Sequence, residues 1–196
     1  MPLTINVLPT GAIVKESTQP LHREVEELLL PKLTAISSRA EYAAILKMFY
    51  GYFFPLEQRI QRLITANELP DIAERRKAAF ILRDLESINV STGDMALCTG
   101  LPFMENEAQA FGALYVLEGS TLGGKMIAKM LLKNQALAIS EDAVHFFSGY
   151  RDETGSKWKA FLEVLNQQTQ ADAVVRAANH TFFHLKCWMQ QCFRHE

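Results

Sequence analysis

The chain has 196 residues, a hydrophobic fraction of 48% and a formal net charge of -2. This length suits one domain with a sizeable core, and the hydrophobic fraction excludes an intrinsically disordered chain. The near-neutral charge excludes a protein-wide electrostatic field for nucleic acid, so local lysines must meet any anionic ligand.

The cysteines and the apolar runs bear on where the protein is found. Its three cysteines contain no C-x-x-C pair, which fits a reducing, cytosolic compartment. No apolar run approaches the length of a membrane span, and the first residues lack the charged and apolar regions of a signal peptide. We therefore expect a cytoplasmic protein without a membrane anchor.

Apolar residues recur at helical spacing and no alternation of period two appears, so we predict an all-α fold in a single domain over residues 1–196. Residues 1–10 are expected to be an irregular lead-in. The first helix is predicted to begin at about Thr18 and to end before Pro31, with Pro20 in its first turn.

The second helix is predicted to begin at a capping box, S-R-A-E, from Ser38 to Glu41. The charge run from Glu74 to Lys77 is interpreted as a solvated face, and Met126 and Met130 as core residues. Further helices are predicted over about 71–88, 105–133, 142–148, 158–165 and 172–193.

The first predicted helix carries His22, with Glu26 four residues later on the same face. A carboxylate in this position can accept the Nδ1–H of the imidazole and leave Nε2 for a metal ion. Lys15, about two turns earlier, could reach an anionic group. Because surface helices often carry such a pair, an ordinary exposed His–Glu pair is the alternative.

The helix predicted over 105–133 contains three glycines, Gly119, Gly123 and Gly124. Each costs about 1 kcal/mol relative to alanine inside a helix. Gly119 and Gly123 share a face, so their missing side chains would let a large flat group, or a second helix, approach the backbone. The G-x-x-x-G spacing is not that of a nucleotide-binding loop, because no strand precedes it.

Together these two motifs resemble the haem oxygenase family, and the resemblance runs from about Gly11 to the last helix. The first motif is K-E-x-T-x-x-x-H, here from Lys15 through Thr18 to His22, and the second is G-x-x-x-G-G, here beginning at Gly119. The segment Y-V-L-E-G-S-T-L-G-G is similar to bacterial members, including those found with bacterial phytochromes.

The resemblance implies haem between the first helix and the glycine-containing helix, with His22 as the proximal ligand of the iron and Glu26 bonded to its other nitrogen. Gly119 and Gly123 would leave room for dioxygen on the distal side. The other residues to which the resemblance gives a site role are Lys15, Thr18, Gly124, Lys159 and Phe182 as haem-binding residues and Ser120 as a distal catalytic residue.

The implied activity is cleavage of haem to biliverdin, carbon monoxide and ferrous iron, with haem as both cofactor and substrate. Electrons would come from a ferredoxin, a flavodoxin or a reductase, because the sequence has no flavin or nicotinamide fingerprint. A bilin-binding phytochrome is a possible recipient of the product, with iron acquisition as the other purpose.

The chain departs from the family at two positions. Ser120 stands where the animal enzymes have an aspartate, and Glu163 where the family has a propionate-binding arginine, for which Lys125 or Lys129 could compensate. These departures motivate an alternative, a haem-binding or haem-sensing protein without turnover. A third hypothesis is a related helical fold with a thiamin- or quinone-related role, which predicts no haem binding.

Overall fold

The structure is a computed structural model that describes residues 8–93 and 95–194. Over these residues it is entirely helical, which confirms the predicted all-α class. The α-helices are α1 (Thr10–Ala35), α2 (Arg39–Ile60), α3 (Ala79–Ser87), α4 (Glu107–Lys133), α5 (His145–Ser148), α6 (Thr154–Leu165) and α7 (Ala171–Phe193), and short 3-10 turns lie at Ile72–Glu74, Glu141–Ala143 and Arg151–Glu153.

Helix α1 is longer at both ends than the sequence predicts. It begins at Thr10, so the predicted start near Thr18 is wrong, and the predicted lead-in mostly lies outside the described residues. Pro20 and Pro31 both lie inside the helix, where each removes one backbone hydrogen bond. The helix survives these losses because it packs along α7 and buries one apolar face. It ends at Ala35 and not at Pro31.

Helix α2 begins at the predicted capping box, which the structure confirms. The Ser38 Oγ accepts a hydrogen bond from the Glu41 amide at 3.3 Å. The Glu41 carboxylate in turn accepts one from the Ser37 amide at 2.6 Å. These bonds from Ser37 lower the pKa of the Glu41 carboxyl. The start of α2 is therefore fixed by local hydrogen bonds that the sequence motif predicts.

Helix α7 packs against both α1 and α4 and so forms the floor beneath them. Its approach to α4 is close at Gly112, where a Cβ atom would overlap the Val174 carbonyl oxygen. Helix α2 also contacts α7, and two hydrogen bonds to backbone carbonyls join these helices. The Tyr52 hydroxyl donates to the Thr181 carbonyl at 2.7 Å, and the Trp188 indole donates to the Met48 carbonyl at 2.8 Å.

Helix α5 is short, and the buried carboxylate of Asp84 holds its first turn. That carboxylate accepts the amides of His145 at 2.8 Å and Phe146 at 2.9 Å. Burial raises the pKa of Asp84, against the effect of these donors. Because Asp84 holds α5 in this way, the backbone of Phe147 packs directly against Gly124 of α4.

The segment predicted as one helix over 71–88 is helical only in part. A 3-10 turn at Ile72–Glu74 is followed by Arg75 in an extended conformation, and α3 begins at Ala79. The interpretation of Glu74 to Lys77 as a solvated face is wrong at its centre, because Arg75 is 2% exposed. The helix is interrupted because Arg75 and Arg76 turn inward to buried partners on α4.

Candidate active site

A cleft lies between α1 and α4, which run in the same direction above α7. At one end the Tyr115 side chain of α4 lies beside the Thr18 side chain of α1. At the other end a cavity of about 550 Å³ is lined by both helices, including Leu33 of α1 and Met130 of α4. Fifteen residues separate these points on each helix, which corresponds to roughly 22 Å at the α-helical rise.

The two walls present matching faces to this cleft. Spacings of three, four and seven residues place His22, Glu26 and Leu33 on one face of α1. The same spacings place Gly119, Gly123, Met126 and Met130 on one face of α4. The prediction that Met126 belongs to the core is wrong, since this residue is 79% exposed. It is exposed because its face of α4 borders the cleft and has no helix packed on it.

The side chain of His22 lies at the α1 wall, near the α7 floor. Its ring contacts Phe182 of α7 in an edge-to-face arrangement, with centroids 5.4 Å apart. It is still 52% exposed, so a ligand in the cleft can reach the imidazole. Phe182 itself is buried and limits the positions that the ring can take. The two predicted haem-binding residues are thus in direct contact.

Glu26 is beside His22, but not at the nitrogen that the sequence predicts. The His22 Nε2 lies 3.6 Å from the Glu26 Oε1, whereas we expected Nδ1 to face the carboxylate. The contact is longer than a hydrogen bond, and Glu26 is 64% exposed. The i, i+4 geometry holds both groups on one face while the imidazole can still turn about its Cβ–Cγ bond.

The three glycines of α4 have different surroundings. Among the described residues, a Cβ atom at Gly123 would have no neighbour within 4 Å, and one at Gly119 would touch the Trp158 ring at 3.8 Å. At Gly124 a Cβ atom would overlap the Phe147 carbonyl oxygen. Gly119 and Gly123 therefore face open space. Gly124 is instead required for packing and, contrary to the prediction, does not face the cleft.

Of the other predicted haem-binding residues, Thr18 and Lys15 lie on α1 and Lys159 lies on α6. Thr18 is buried and donates to the Val14 carbonyl at 2.8 Å, so its hydroxyl is used inside the protein. Lys15 on α1 and Lys159 on α6 are exposed, and among the described residues neither forms an ion pair. Both ammonium groups are therefore available to an anion.

The hydroxyl of Ser120, next to Gly119, donates one hydrogen bond and accepts another. It donates to the Leu117 carbonyl at 2.7 Å and accepts from the Arg76 guanidinium at 2.8 Å. Arg76 also donates to the Leu117 carbonyl at 2.7 Å, and its guanidinium lies 4.4 Å from the centre of the Phe146 ring. The position at which the resemblance implies an aspartate in the animal enzymes is thus a serine held by an arginine.

A second buried group near the glycines was missed by the sequence reasoning. Glu118 is 3% exposed and pairs with the Arg75 guanidinium at 2.8 Å. The Tyr150 hydroxyl donates to the same carboxylate at 2.9 Å. Burial opposes the charge on Arg75, but Glu118 and Asp71 outweigh it and raise the pKa of the guanidinium. A glutamate between apolar residues of α4 was the available signal, because a buried carboxylate needs a cation.

Three comparisons with known proteins bear on this site. The family model described as "Heme oxygenase" matches residues 102–191. A curated haem oxygenase of Xanthomonas campestris pv. campestris (strain 8004) is 32% identical over an alignment of 150 residues, which covers 73% of this chain and 86% of that protein. The chain belongs to the haem oxygenase family.

The fold of this haem oxygenase family member also matches a solved bacterial structure. The NO- and CO-bound haem oxygenase of Neisseria meningitidis superposes with a TM-score of 0.76, over 96% of this chain and 94% of that one. At 20% identity this likeness establishes the shared fold. In the part of the chain that the structure describes, no helix has the length and apolarity to span a membrane, and no group of three His, Cys, Asp or Glu residues could hold a metal ion.

Proposed function

We propose that this protein is a haem oxygenase that opens haem to biliverdin, carbon monoxide and ferrous iron. The observation that carries the proposal is an exposed imidazole, His22, across a cleft from two helical positions that have no side chain, Gly119 and Gly123. A metal-ligating group opposite bare backbone suits a flat macrocycle with a metal ion at its centre.

The residues of the cleft fit haem in shape and polarity. The cavity of about 550 Å³ at the Leu33 end is lined by Met126 and Met130 but not by His22 or the glycines, so it extends the cleft beyond the proposed iron site. Leu122 and Met126 are 47% and 79% exposed, so α4 presents apolar surface that a macrocycle would cover. Lys15 and Lys159 would meet the propionates at the opposite end.

Each residue would have a distinct task with haem in place. His22 would hold the iron through one ring nitrogen, and Glu26 would accept the proton of the other, after a rotation of the ring where needed. Bound haem supplies the redox chemistry with dioxygen and external electrons. Gly119 and Gly123 leave room for dioxygen, and Ser120 with Arg76 can orient water beside it.

The partners and location belong to the same proposal. The electron donor would be a ferredoxin, a flavodoxin or a reductase, and the biliverdin could be passed to a phytochrome. The sequence supports a cytoplasmic site for this exchange through its reduced cysteines.

The decisive experiment is a visible spectrum recorded after hemin is added, and then during reduction in air. We expect a Soret band of histidine-bound haem that decays as the broad bands of biliverdin appear. A stable oxygen-bound or ferric spectrum would support the haem-binding or haem-sensing alternative. The absence of any spectral complex would contradict both.

Replacement of Glu26 by glutamine tests the partner of His22. We expect the protein to fold normally, because Glu26 is 64% exposed. A neutral amide makes the imidazole a weaker donor, so the ferric/ferrous potential should rise. Redox titration of the haem complex measures this, with Glu27→Gln on a different face of α1 as the control. Equal potentials in the wild type and Glu26→Gln would remove Glu26 from the site.

Replacement of Ser120 by alanine tests the distal hydroxyl. Arg76 keeps its bond to the Leu117 carbonyl, and water can replace the lost oxygen, so we expect slower turnover without its loss. One hydrogen bond contributes roughly 0.5–1.5 kcal/mol, which corresponds to about a two- to tenfold lower rate. Single-turnover biliverdin formation is the measurement. Complete arrest would show that this hydroxyl is indispensable.

A further inference from the structure

The two residues on either side of Gly119 are both held from outside α4. Glu118 is bonded to Arg75, and Ser120 to Arg76. These arginines are adjacent in the chain, so one dipeptide reaches both neighbours of the glycine. Arg75 also donates to the Lys157 carbonyl at 3.0 Å, which connects the group to α6.

The hydroxyl of Tyr150 joins these two arginine contacts into one group. It donates to both oxygens of the Glu118 carboxylate, at 2.9 and 3.0 Å. It also accepts the backbone N–H of Arg76 at 2.7 Å. A single oxygen atom therefore connects the chain at Arg76 with the residue that precedes Gly119.

The helix is locally weakened where this group holds it. The Ser120 and Thr121 hydroxyls bond back to the Leu117 and Glu118 carbonyls, at 2.7 and 2.6 Å, a pattern that bends helices. Gly119 adds backbone freedom at the same point. Contacts from outside α4 at this turn therefore limit how the helix can bend there.

The backbone on both sides of Tyr150 is in unusual conformations. Gly149 has a φ of 55°, and Arg151, which is not a glycine, also has a φ of 55°. Positive φ is disfavoured for a residue with a side chain and persists only where the surroundings impose it. The chain is thus constrained at the residue whose hydroxyl reaches α4.

We propose that Tyr150 is a positioning residue for the distal turn, the turn of α4 from Leu117 to Thr121. It links Arg75 and Arg76 to the neighbours of Gly119 and so fixes where that glycine lies across the cleft. The role of that turn above haem rests on the proposed function, whereas the mechanical link does not. Tyr150 acts through Glu118 and Arg76 and need not touch haem.

The test uses Tyr150→Phe, which removes one oxygen atom and keeps the ring. Tyr42→Phe is the matched control, because it removes another buried hydroxyl, bonded to the Ala143 carbonyl at 2.6 Å and to none of Arg75, Arg76 and Glu118. Hydrogen–deuterium exchange of the apo protein is compared over residues 113–125. We expect exchange there to be roughly 3- to 10-fold faster in Tyr150→Phe, as the loss of one buried hydrogen bond predicts, and unchanged in Tyr42→Phe.

A second readout is the C–O stretching frequency of the ferrous haem–CO complex, which senses the distal surroundings of the bound ligand. It should shift in Tyr150→Phe and stay at the wild-type value in Tyr42→Phe. Faster exchange spread evenly over the chain, or wild-type exchange over residues 113–125, would overturn the proposal. If the wild type bound no haem, the proposed function would fail while the exchange data still decided the role of Tyr150.

Discussion

Replacement of His22 by alanine is expected to abolish biliverdin formation while the protein remains folded. The side chain is 52% exposed and packs edge-to-face on Phe182, so we expect its loss to leave the packing of α1 on α7 intact. Residues outside the ligand shell of a metal typically contribute roughly 10- to 100-fold to affinity or activity. Loss of the ligand itself should therefore cost more than about 100-fold in turnover.

Turnover under a reductant in air, together with a hemin titration, measures the effect of His22→Ala. Weak haem binding should remain, because the apolar face of α4 is unchanged. His180→Ala is the matched control, since His180 is an exposed histidine on α7. Added imidazole should enter the vacated space and restore the histidine-type spectrum. Biliverdin formation at the wild-type rate by His22→Ala would exclude His22 as the ligand.

The fold was predictable where local patterns and packing agree. The start of α2 follows from Ser38 and Glu41, which lie in one turn of the chain. The bounds of α4 and α7 lie within two residues of the predicted ones, because their apolar periodicity is long and uninterrupted. α1 differed because tertiary packing on α7 outweighs the local cost of Pro31, which no local pattern reveals.

The site was predictable only as far as single helices determine it. The spacing of His22 and Glu26, and of Gly119 and Gly123, defines two helix faces whatever the rest of the chain does. The orientation of the imidazole and the role of Gly124 depend on neighbours from other helices, Phe182 and Phe147. Those contacts join residues far apart in the chain, so periodicity cannot supply them.

The pairing of Arg75 with Glu118 at the distal turn shows even more strongly that local patterns cannot predict contacts between distant residues. Arg75 and Glu118 are 43 positions apart, and each has a common solvent-exposed interpretation on its own. Charge runs are usually solvated, so the sequence favoured that interpretation. Only the burial of both partners reveals that each neutralises the other inside the protein.

The second large effect is expected at the glycines of α4. Substitution of Gly124 should lower the stability of the protein, whereas substitution of Gly123 should lower haem binding or turnover. Gly124→Ala places a Cβ atom on the Phe147 carbonyl oxygen, which belongs to backbone that Asp84 anchors. Overpacking of this kind costs about 1–3 kcal/mol. For a chain of this size we expect the apo melting temperature to fall by roughly 2–12 °C.

Gly123→Leu should have the opposite effect, with unchanged apo stability and reduced haem binding or turnover. A Cβ atom at Gly123 has no neighbour within 4 Å, and leucine has a higher helix propensity than glycine by about 0.5–1 kcal/mol. The apo melting temperature should therefore stay the same or rise slightly. The leucine side chain would fill the space across from His22, so hemin affinity or biliverdin yield should collapse. Gly123 is a cleaner test than Gly119, whose Cβ would touch Trp158 at 3.8 Å.

Apo melting, hemin affinity and biliverdin yield, measured on both variants, separate packing from ligand space. Gly124→Ala should lose stability, and its folded fraction should still turn over haem. Gly123→Leu should keep stability and lose haem chemistry, because the added atoms enter space where no group of the described residues lies within 4 Å of the Cβ position. Normal turnover by a stable Gly123→Leu protein would mean that haem does not lie against this face of α4. The proposed site would then fail on its distal side, whatever His22 contributes from the other wall.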